Sequence, residues 1–430
     1  MDSKKIALTG AGLISGGELT ENVTILIENG IIYALEAGAV CPVGFEKHDL
    51  TGKYISAGLI EMHGHFYGRA IAEMKSQHAA YCPLYLAGGI TTVRTPGEFQ
   101  PDLTWDIKAS IEKGELIGPS IFSGSSYFDR EPSIVGWMEP STTEQEIRDK
   151  YEVWKNKTDL IKVYSNTPPE WIKILADLAH ADGLKVYGHL GTSSATEAIK
   201  AGIDGLEHGF YTMSEFYDEA FSKIRSLALK SFDPDSQAAT DVINLIIDND
   251  IAIIPTTITF ILSGKDYTQR LDKDNLWRYL SDDAIVHHKA RRAEMDGDTE
   301  NVELEKILLE KQLRFVNRIY NAGGRIFCGT DPSYPLITPG YAISWEAELL
   351  SKCGLSNASI MEALTIEAAK EIGLQNTIGS LEKGKKADIA VFNKNPLEDI
   401  KNLADLFAVY KSGISYDPAA LRESAEGKMA

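Results

Sequence analysis

Cysteine and positive charge are both scarce in this chain, and long apolar runs are missing. Its 430 residues hold four cysteines, Cys41, Cys82, Cys328 and Cys353, too widely spread for zinc-site spacing or a disulfide framework. That excludes a disulfide-stapled secreted scaffold. Lysine and arginine number 43 against 62 aspartates and glutamates, a formal net charge of −19. So acidic a surface repels phosphate backbones and anionic lipid, so neither nucleic acid nor membrane is an expected partner. No stretch reaches the roughly 18 apolar residues of a membrane helix. Residues 1–17 lack the charged start and apolar centre of a signal peptide. The expectation is a reduced, cytoplasmic protein. What is present is globular, 43% apolar and 24% charged. The length suits one (β/α)8 barrel of about 250 residues plus a satellite.

The first fifty-odd residues read as β. Residues 23–27 and 31–35 flank Glu28-Asn29-Gly30. Asn-Gly between two β-rich runs signals a hairpin, because a type I′ turn needs positive φ at both central positions. From Ala57 onward, short apolar runs alternate with amphipathic helical stretches. The runs are 57–62, 90–93, 120–123, 160–164, 185–188, 205–207, 251–256 and 325–329, with helices such as 170–181 and 194–201 between them. Continuous apolar strands separated by helices argue for a parallel sheet covered on both faces. Eight such units predict an α/β fold, a (β/α)8 TIM-like barrel, with an open sheet as the alternative that periodicity alone leaves. Two long connections, 211–249 and 258–321, follow strand carboxyl ends and are expected to roof the active-site face. A helical stretch at 359–372 precedes a return to β at 389–392. The predicted division is a small β-sandwich from both chain ends, 1–56 and 377–430, around a barrel at 57–376.

Glu61-Met62-His63-Gly64-His65 ends the first run. Residues two apart on a strand share a face, so His63 and His65 both aim inward, a natural metal pair. His-x-His alone is only moderately specific. Four further residues sharpen it. Lys162 is a charge inside an apolar strand, His189 and His208 end the next two runs, and Asp331 follows the last. Each falls at a strand carboxyl end, where barrel enzymes keep their catalytic groups. The gaps of 27 and 19 residues, from 162 to 189 and from 189 to 208, each fit one βα step. An ammonium has no acceptor and cannot ligate a cation. Burial pushes lysine toward its neutral form, and a neutral amine can add carbon dioxide to become a carbamate with oxygen ligands. The alternative for Lys162 is a snorkelling or ion-paired side chain.

Residues 58–65, Gly89-Ile90-Thr91-Thr92-Val93-Arg94 and Ile378-Gly379-Ser380-Leu381-Glu382-Lys383-Gly384-Lys385-Lys386-Ala387-Asp388 resemble the signature segments of the amidohydrolase superfamily. The resemblance covers nearly the whole chain in family order and leans to the branch of imidazolonepropionase-like proteins and metal-dependent prolidases. It implies a distorted barrel flanked by a β-sandwich, with a binuclear site, commonly zinc, bridged by a carbamylated lysine. On that mapping His63, His65 and Asp331 hold one metal, His189 and His208 the other, and Lys162 bridges them. The resemblance also favours a homo-oligomer. Two positions depart from the pattern. Glu61 stands where aspartate is usual, and residues 125–138 lack the histidine that prolidases of this branch often carry after the third strand.

These residues permit hydrolysis of a C–N bond in an amide, peptide or cyclic amide by a metal-bridging hydroxide, with Asp331 moving the proton to the leaving nitrogen. No Gly-x-Ser-x-Gly elbow competes. The expected substrate is a small amide or a dipeptide, or a bulky apolar amide. Tyr164, two residues after Lys162, and Tyr211, three after His208, are candidate oxyanion donors; packed tyrosines are the alternative. Arg94 is placed either to bind a substrate carboxylate or to pair with Glu61. Tyr127, Phe128 and Trp137 are expected as an apolar wall, or as loop packing. His48, His78, His180, His287 and His288 are expected to be structural. Two other readings stay open: a mononuclear deaminase of the same superfamily, and a non-catalytic scaffold.

Overall fold

The computed structural model describes residues 5–69, 74–98, 100–132, 139–218, 224–334 and 336–430. Strands from both chain ends form one eight-stranded sheet. Its amino-terminal part is Lys5–Ser15, Glu18–Glu28, Ile31–Ala37, Glu46–Asp49 and Tyr54–Ala57. Its carboxyl-terminal part is Ile389–Phe392, Leu406–Lys411 and Ile414–Tyr416. The predicted hairpin is present: Asn29 and Gly30 have φ of 52° and 81°, and Ile27 and Glu28 face Ile32 and Ile31. The two ends join where Tyr54–Ala57 pairs antiparallel with Ile389–Phe392. Lys5–Ser15 changes parallel partners along its length, from Glu46–Asp49 to Tyr54–Ala57. A register irregularity between Thr9 and Leu13 accompanies the change. Strand alternation then buries Ile6, Leu8, Ile25, Ile55, Ile389 and Val391 in a core drawn from this sheet and its connections, so the sheet is folded on itself.

The other large sheets are parallel. Three strands, Leu59–Glu61, Ile90–Arg94 and Ser120–Phe122, form one. Six form another: Gly124–Phe128, Leu160–Val163, Val186–Gly188, Gly205–Glu207, Ala252–Ile254 and Arg325–Ile326. The third predicted run is therefore longer than expected and breaks at Ser123. Backbone bonds link the two sheets at their outer strands. Glu98 N–H donates to Ser125 O at 2.9 Å on one side, while Met62 N–H donates to Cys328 O at 3.0 Å and Asp331 N–H to His63 O at 2.9 Å on the other.

The parallel strands have two buried faces. Leu59, Val93, Ile161, Val163, Val186, Leu206 and Ile253 belong to the large core shared with the helices. Ile60, Met62, Leu160, Tyr187, Ala252, Ile254 and Phe327 form a separate, smaller core with Ala368, Ala369 and Ile372. The period of two explains the second set. Leu160 and Tyr187 lie two residues before Lys162 and His189, so an apolar layer sits beneath the candidate ligands. The helices between strands follow their sequence signals. Pro169–Ala181 starts with proline in its first turn, and Ala195–Lys200 carries a capping box from Ser194 and Glu197. The stretch expected as one helix at 359–372 is two, Asn357–Ala363 and Ile366–Glu371, separated at Thr365. No helix among the described residues is long and apolar enough to cross a membrane.

Candidate metal centre

The two histidines of His63-Gly64-His65 leave their strand side by side, ring centroids 5.4 Å apart and nearly perpendicular. Gly64 is what the crowding permits, since a Cβ there would lie 2.4 Å from Val93 Cγ1 and 2.9 Å from the Tyr85 hydroxyl. Asp331 arrives from the last strand in a left-handed conformation, φ 53°. Its carboxylate lies 3.4 Å from His65 Nε2 and 3.8 Å from His63 Nε2. Ligand atoms of these three buried residues all lie within 4.8 Å of one another. Glu61, fully buried, ties the first strand to the last. It accepts from the backbone N–H of His63 and of Thr330 at 2.9 Å each, and from Thr330 Oγ1 at 2.8 Å. Burial pushes its carboxyl up to about 7, against those hydrogen bonds.

The residue that organises the interior is Glu207, which the sequence analysis passed over. Its Oε2 accepts from His63 Nδ1 at 2.8 Å and its Oε1 from Arg94 Nη2 at 3.0 Å. A carboxylate only accepts, so the His63 proton sits on Nδ1 and Nε2 offers its lone pair toward Asp331. Burial opposes the Glu207 charge, but Arg94, Lys162 and His63 outweigh it and hold the carboxyl well below the usual range. Arg94 pairs with Glu207 and not with Glu61. It also donates to Met62 O at 2.6 Å, and its guanidinium stacks 3.9 Å from the Tyr187 ring centroid. Fully buried and internally neutralised, Arg94 has no face for a substrate carboxylate.

Lys162 Nζ lies 3.6 Å from Glu207 Oε1, an ion-pair distance, and has no hydrogen-bond partner among the described residues. Burial brings its ammonium down to about 8, although Glu207 pulls the other way. His208 has φ 67°, and this left-handed step breaks the strand alternation so that Glu207 and His208 both reach the site. The His208 ring lies 4.8 Å from that of His63 and 4.6 Å from that of His189. Its Nδ1 is 2.8 Å from Thr256 Oγ1; with Nδ1 donating to that hydroxyl, Nε2 would be free to ligate. Burial lowers its pKa to about 3, so it is neutral, as a ligand must be. His189 is also held neutral by burial, and by His208, Arg225 and Lys162. Its Nε2 accepts from Arg225 Nη1 at 2.9 Å. His189, His208 and Lys162 thus line the site but stand outside the tight group of His63, His65 and Asp331.

The donor set fits a divalent cation. It offers neutral imidazoles and a carboxylate. Burial raises the Asp331 carboxyl, but positive charge and hydrogen bonding from the histidines beside it, His63 first, more than reverse this; with those imidazoles neutral, a bound cation would supply the charge instead. The buried His65 Nδ1 and Lys162 Nζ have no hydrogen-bond partner among the described residues.

Tyr164 stacks on His189 with centroids 4.7 Å apart and meets Tyr127 at 5.0 Å. Tyr211 sits further out, edge-on to Phe260. Tyr127 bonds to Tyr67 through their hydroxyls at 2.7 Å, and Phe128 is buried in the large core, so neither forms an exposed apolar wall. Trp137 lies outside the described residues. The remaining histidines have partners elsewhere: His48 with Tyr410 and Glu46, His78 with Ser76, His180 with Asp204, and His287 with His288.

The imidazolonepropionase of Treponema denticola is 24% identical over 420 residues, spanning 91% of this chain and 88% of that protein. A Xaa-Pro dipeptidase solved with methionine in its active site superposes with a TM-score of 0.71 at 21% identity, over 96% of this chain and 100% of that one. A. niger ochratoxinase gives 0.70 at 19% identity over 99% of each chain. At such identities the structural likeness speaks for the fold. The model of the Amidohydrolase family matches residues 54–414. The chain therefore belongs to the amidohydrolase family and is a hydrolase of carbon–nitrogen bonds.

Proposed function

We propose that this chain hydrolyses an amide or peptide bond of a small molecule at a two-metal site inside a closed (β/α)8 barrel. The barrel comprises residues 57–376, and residues 1–56 and 377–430 form the flanking β-sandwich. The observation that carries the reading is the group of His63, His65 and Asp331, with the His63 tautomer set by Glu207. His63, His65 and Asp331 would hold one ion and His189 and His208 the other, zinc being the expected metal; to ligate, His189 would give up the hydrogen bond its Nε2 accepts from Arg225. Lys162, as its carbamate, would bridge them. Such ions supply Lewis-acid polarisation of a carbonyl and lower the pKa of water to about 7.

The protein's own groups do the rest. Asp331 accepts the proton of the attacking water and delivers it to the leaving nitrogen. Burial raises the pKa of Tyr164 and of Tyr211, so both remain O–H donors at neutral pH and can serve the developing oxyanion. Tyr164, stacked on His189, is the nearer of the two to the ligands. Buried strand ends exclude bulk water from Glu207 and Lys162.

One observation favours a second reading, a one-metal deaminase: only three of the six candidate ligands form a tight group. Elemental mass spectrometry of the purified protein separates the two. About two metals per chain, falling sharply in Lys162→Ala, supports the binuclear hydrolase, and amide and dipeptide libraries then identify the bond cleaved. One metal, unchanged by the substitution, supports the deaminase. No metal after growth with added zinc or manganese refutes both and leaves a scaffold.

A further inference from the structure

Arg225 lies in the first roof segment, at the start of the short helix Arg225–Ala228. Its guanidinium reaches back over the site. Nη1 donates to His189 Nε2 at 2.9 Å, and the group stands 5.5 Å and 5.9 Å from the ring centroids of Tyr211 and Tyr217. The approach needs the bare backbone of Gly191, where a Cβ would sit 3.1 Å from Nη2. No carboxylate among the described residues lies within 4.0 Å of Arg225, although the chain has 62 acidic residues. Arg94, by contrast, is fully buried and paired with Glu207. Arg225 is half-buried and also hydrogen-bonds the Tyr217 side chain, and a guanidinium has five N–H donors, so donors remain beyond these two partners.

We propose that Arg225 is the receptor for an anionic group of the substrate, a carboxylate on the amine side of the scissile amide, as in an N-acyl amino acid or a dipeptide. A guanidinium presents a planar fork that matches a carboxylate. One unpaired arginine balances one carboxylate. A phosphate dianion would call for a second cation, and Lys162 is committed either to Glu207 at 3.6 Å or, as its carbamate, to the metals. Tyr211 and Tyr217 flank the fork and fix its plane through cation–π contact. The substrate carboxylate takes up donors that Arg225 does not direct to His189. This inference rests on the hydrolase reading for the position of the scissile bond, but the anion subsite itself does not.

The test uses N-acetyl and N-benzoyl amino acids alongside their C-terminal carboxamides, identical except for the charge. Binding to the full chain is measured by calorimetry and hydrolysis by mass spectrometry, for wild type, Arg225→Met and Arg225→Lys. A charge-assisted pair predicts that wild type prefers carboxylates by about 10- to 100-fold. The preference should fall below about threefold in Arg225→Met and be partly kept in Arg225→Lys, with circular dichroism and metal content unchanged. No preference in wild type, or a preference that survives Arg225→Met, overturns the proposal. An Arg225-dependent preference with no compound hydrolysed leaves the subsite standing and counts against the hydrolase reading. Hydrolysis of neutral amides and carboxylates alike does the reverse.

Discussion

Replacing Glu207 by glutamine should damage stability and metal retention together, because this one carboxylate serves both. The side chain keeps its shape but loses the charge that faces Arg94 at 3.0 Å, Lys162 at 3.6 Å and His63 at 2.8 Å. All four groups are buried. Breaking a buried pair by removing one partner costs about 3–5 kcal/mol, since the other charge is stranded. A histidine ligand that loses its outer partner typically costs about 10- to 100-fold in metal affinity. Urea unfolding followed by circular dichroism reads the first effect, and zinc competition against a chelator reads the second. The double variant Arg94→Met/Glu207→Met separates them. Removing both charges in favour of apolar groups should restore most of the stability, while His63 Nδ1 still lacks its acceptor and metal affinity stays low. Lys162, already brought down to about 8 by burial, can shed its proton in that background. A Glu207→Gln protein within about 1 kcal/mol of wild type, with zinc affinity unchanged, would refute the assignment.

Three further outcomes follow from the geometry. Asp331→Asn should lower kcat by about 10²- to 10⁴-fold if the carboxylate carries the proton; steady-state kinetics at equal metal loading that leave kcat unchanged would remove it from that role. Gly64→Ala places a methyl 2.4 Å from Val93 Cγ1 and should cost about 1–3 kcal/mol by overpacking, measurable as a lowered urea midpoint; a neutral result would mean the strand end yields. Burial raises the Glu371 carboxyl, but Lys185 and Arg325 outweigh it and hold it below its ordinary value. A depressed carboxyl contributes stability that is complete above its unfolded pKa, about 4.3, and is lost as pH falls through the folded value. Glu371→Gln should therefore be less stable than wild type at pH 7, and the gap should narrow as pH falls below about 4.3; a gap of constant size in urea titrations would contradict the linkage.

The parts of the fold visible in the sequence are those governed by local rules. Asn29-Gly30 dictates a turn because few other pairs accept φ of 52° and 81°. Short apolar runs read as buried strands, and barrel enzymes keep their functional groups at strand carboxyl ends, so His63, His65, Lys162, His189, His208 and Asp331 stand out from spacing as candidate ligands. What escaped was non-local. Strict alternation sends Glu207 away from His208, and only the left-handed φ of His208 brings both into the site. Arg94 looked like a partner for Glu61 because their strands are neighbours; the actual partner is 113 residues away across the interior. Arg225 had no signal at all, because a charged roof segment follows no period and its target is a histidine 36 residues earlier.

Thr256 shows how strain and function are joined at these strand ends. It follows the strand Ala252–Ile254, is fully buried, and has φ 43° and ψ 48°. A β-branched residue in the left-handed region is a true outlier, and such strain costs about 1–3 kcal/mol. Its hydroxyl sits 2.8 Å from His208 Nδ1 and holds the ring in place; when the hydroxyl accepts, Nε2 is free. Thr256→Gly relieves the strain but removes that acceptor and leaves a buried N–H unpaired, at about 1–3 kcal/mol. The two nearly cancel, so unfolding free energy should move little. Metal retention should fall nonetheless, because His208 is then free to turn or to change tautomer. Thr256→Ser keeps the hydroxyl and drops the branch, so it should hold metal as wild type does. If Thr256→Gly retains metal as well as the serine variant under the same chelator challenge, the hydroxyl does not position His208, and the strain at this strand end has another origin.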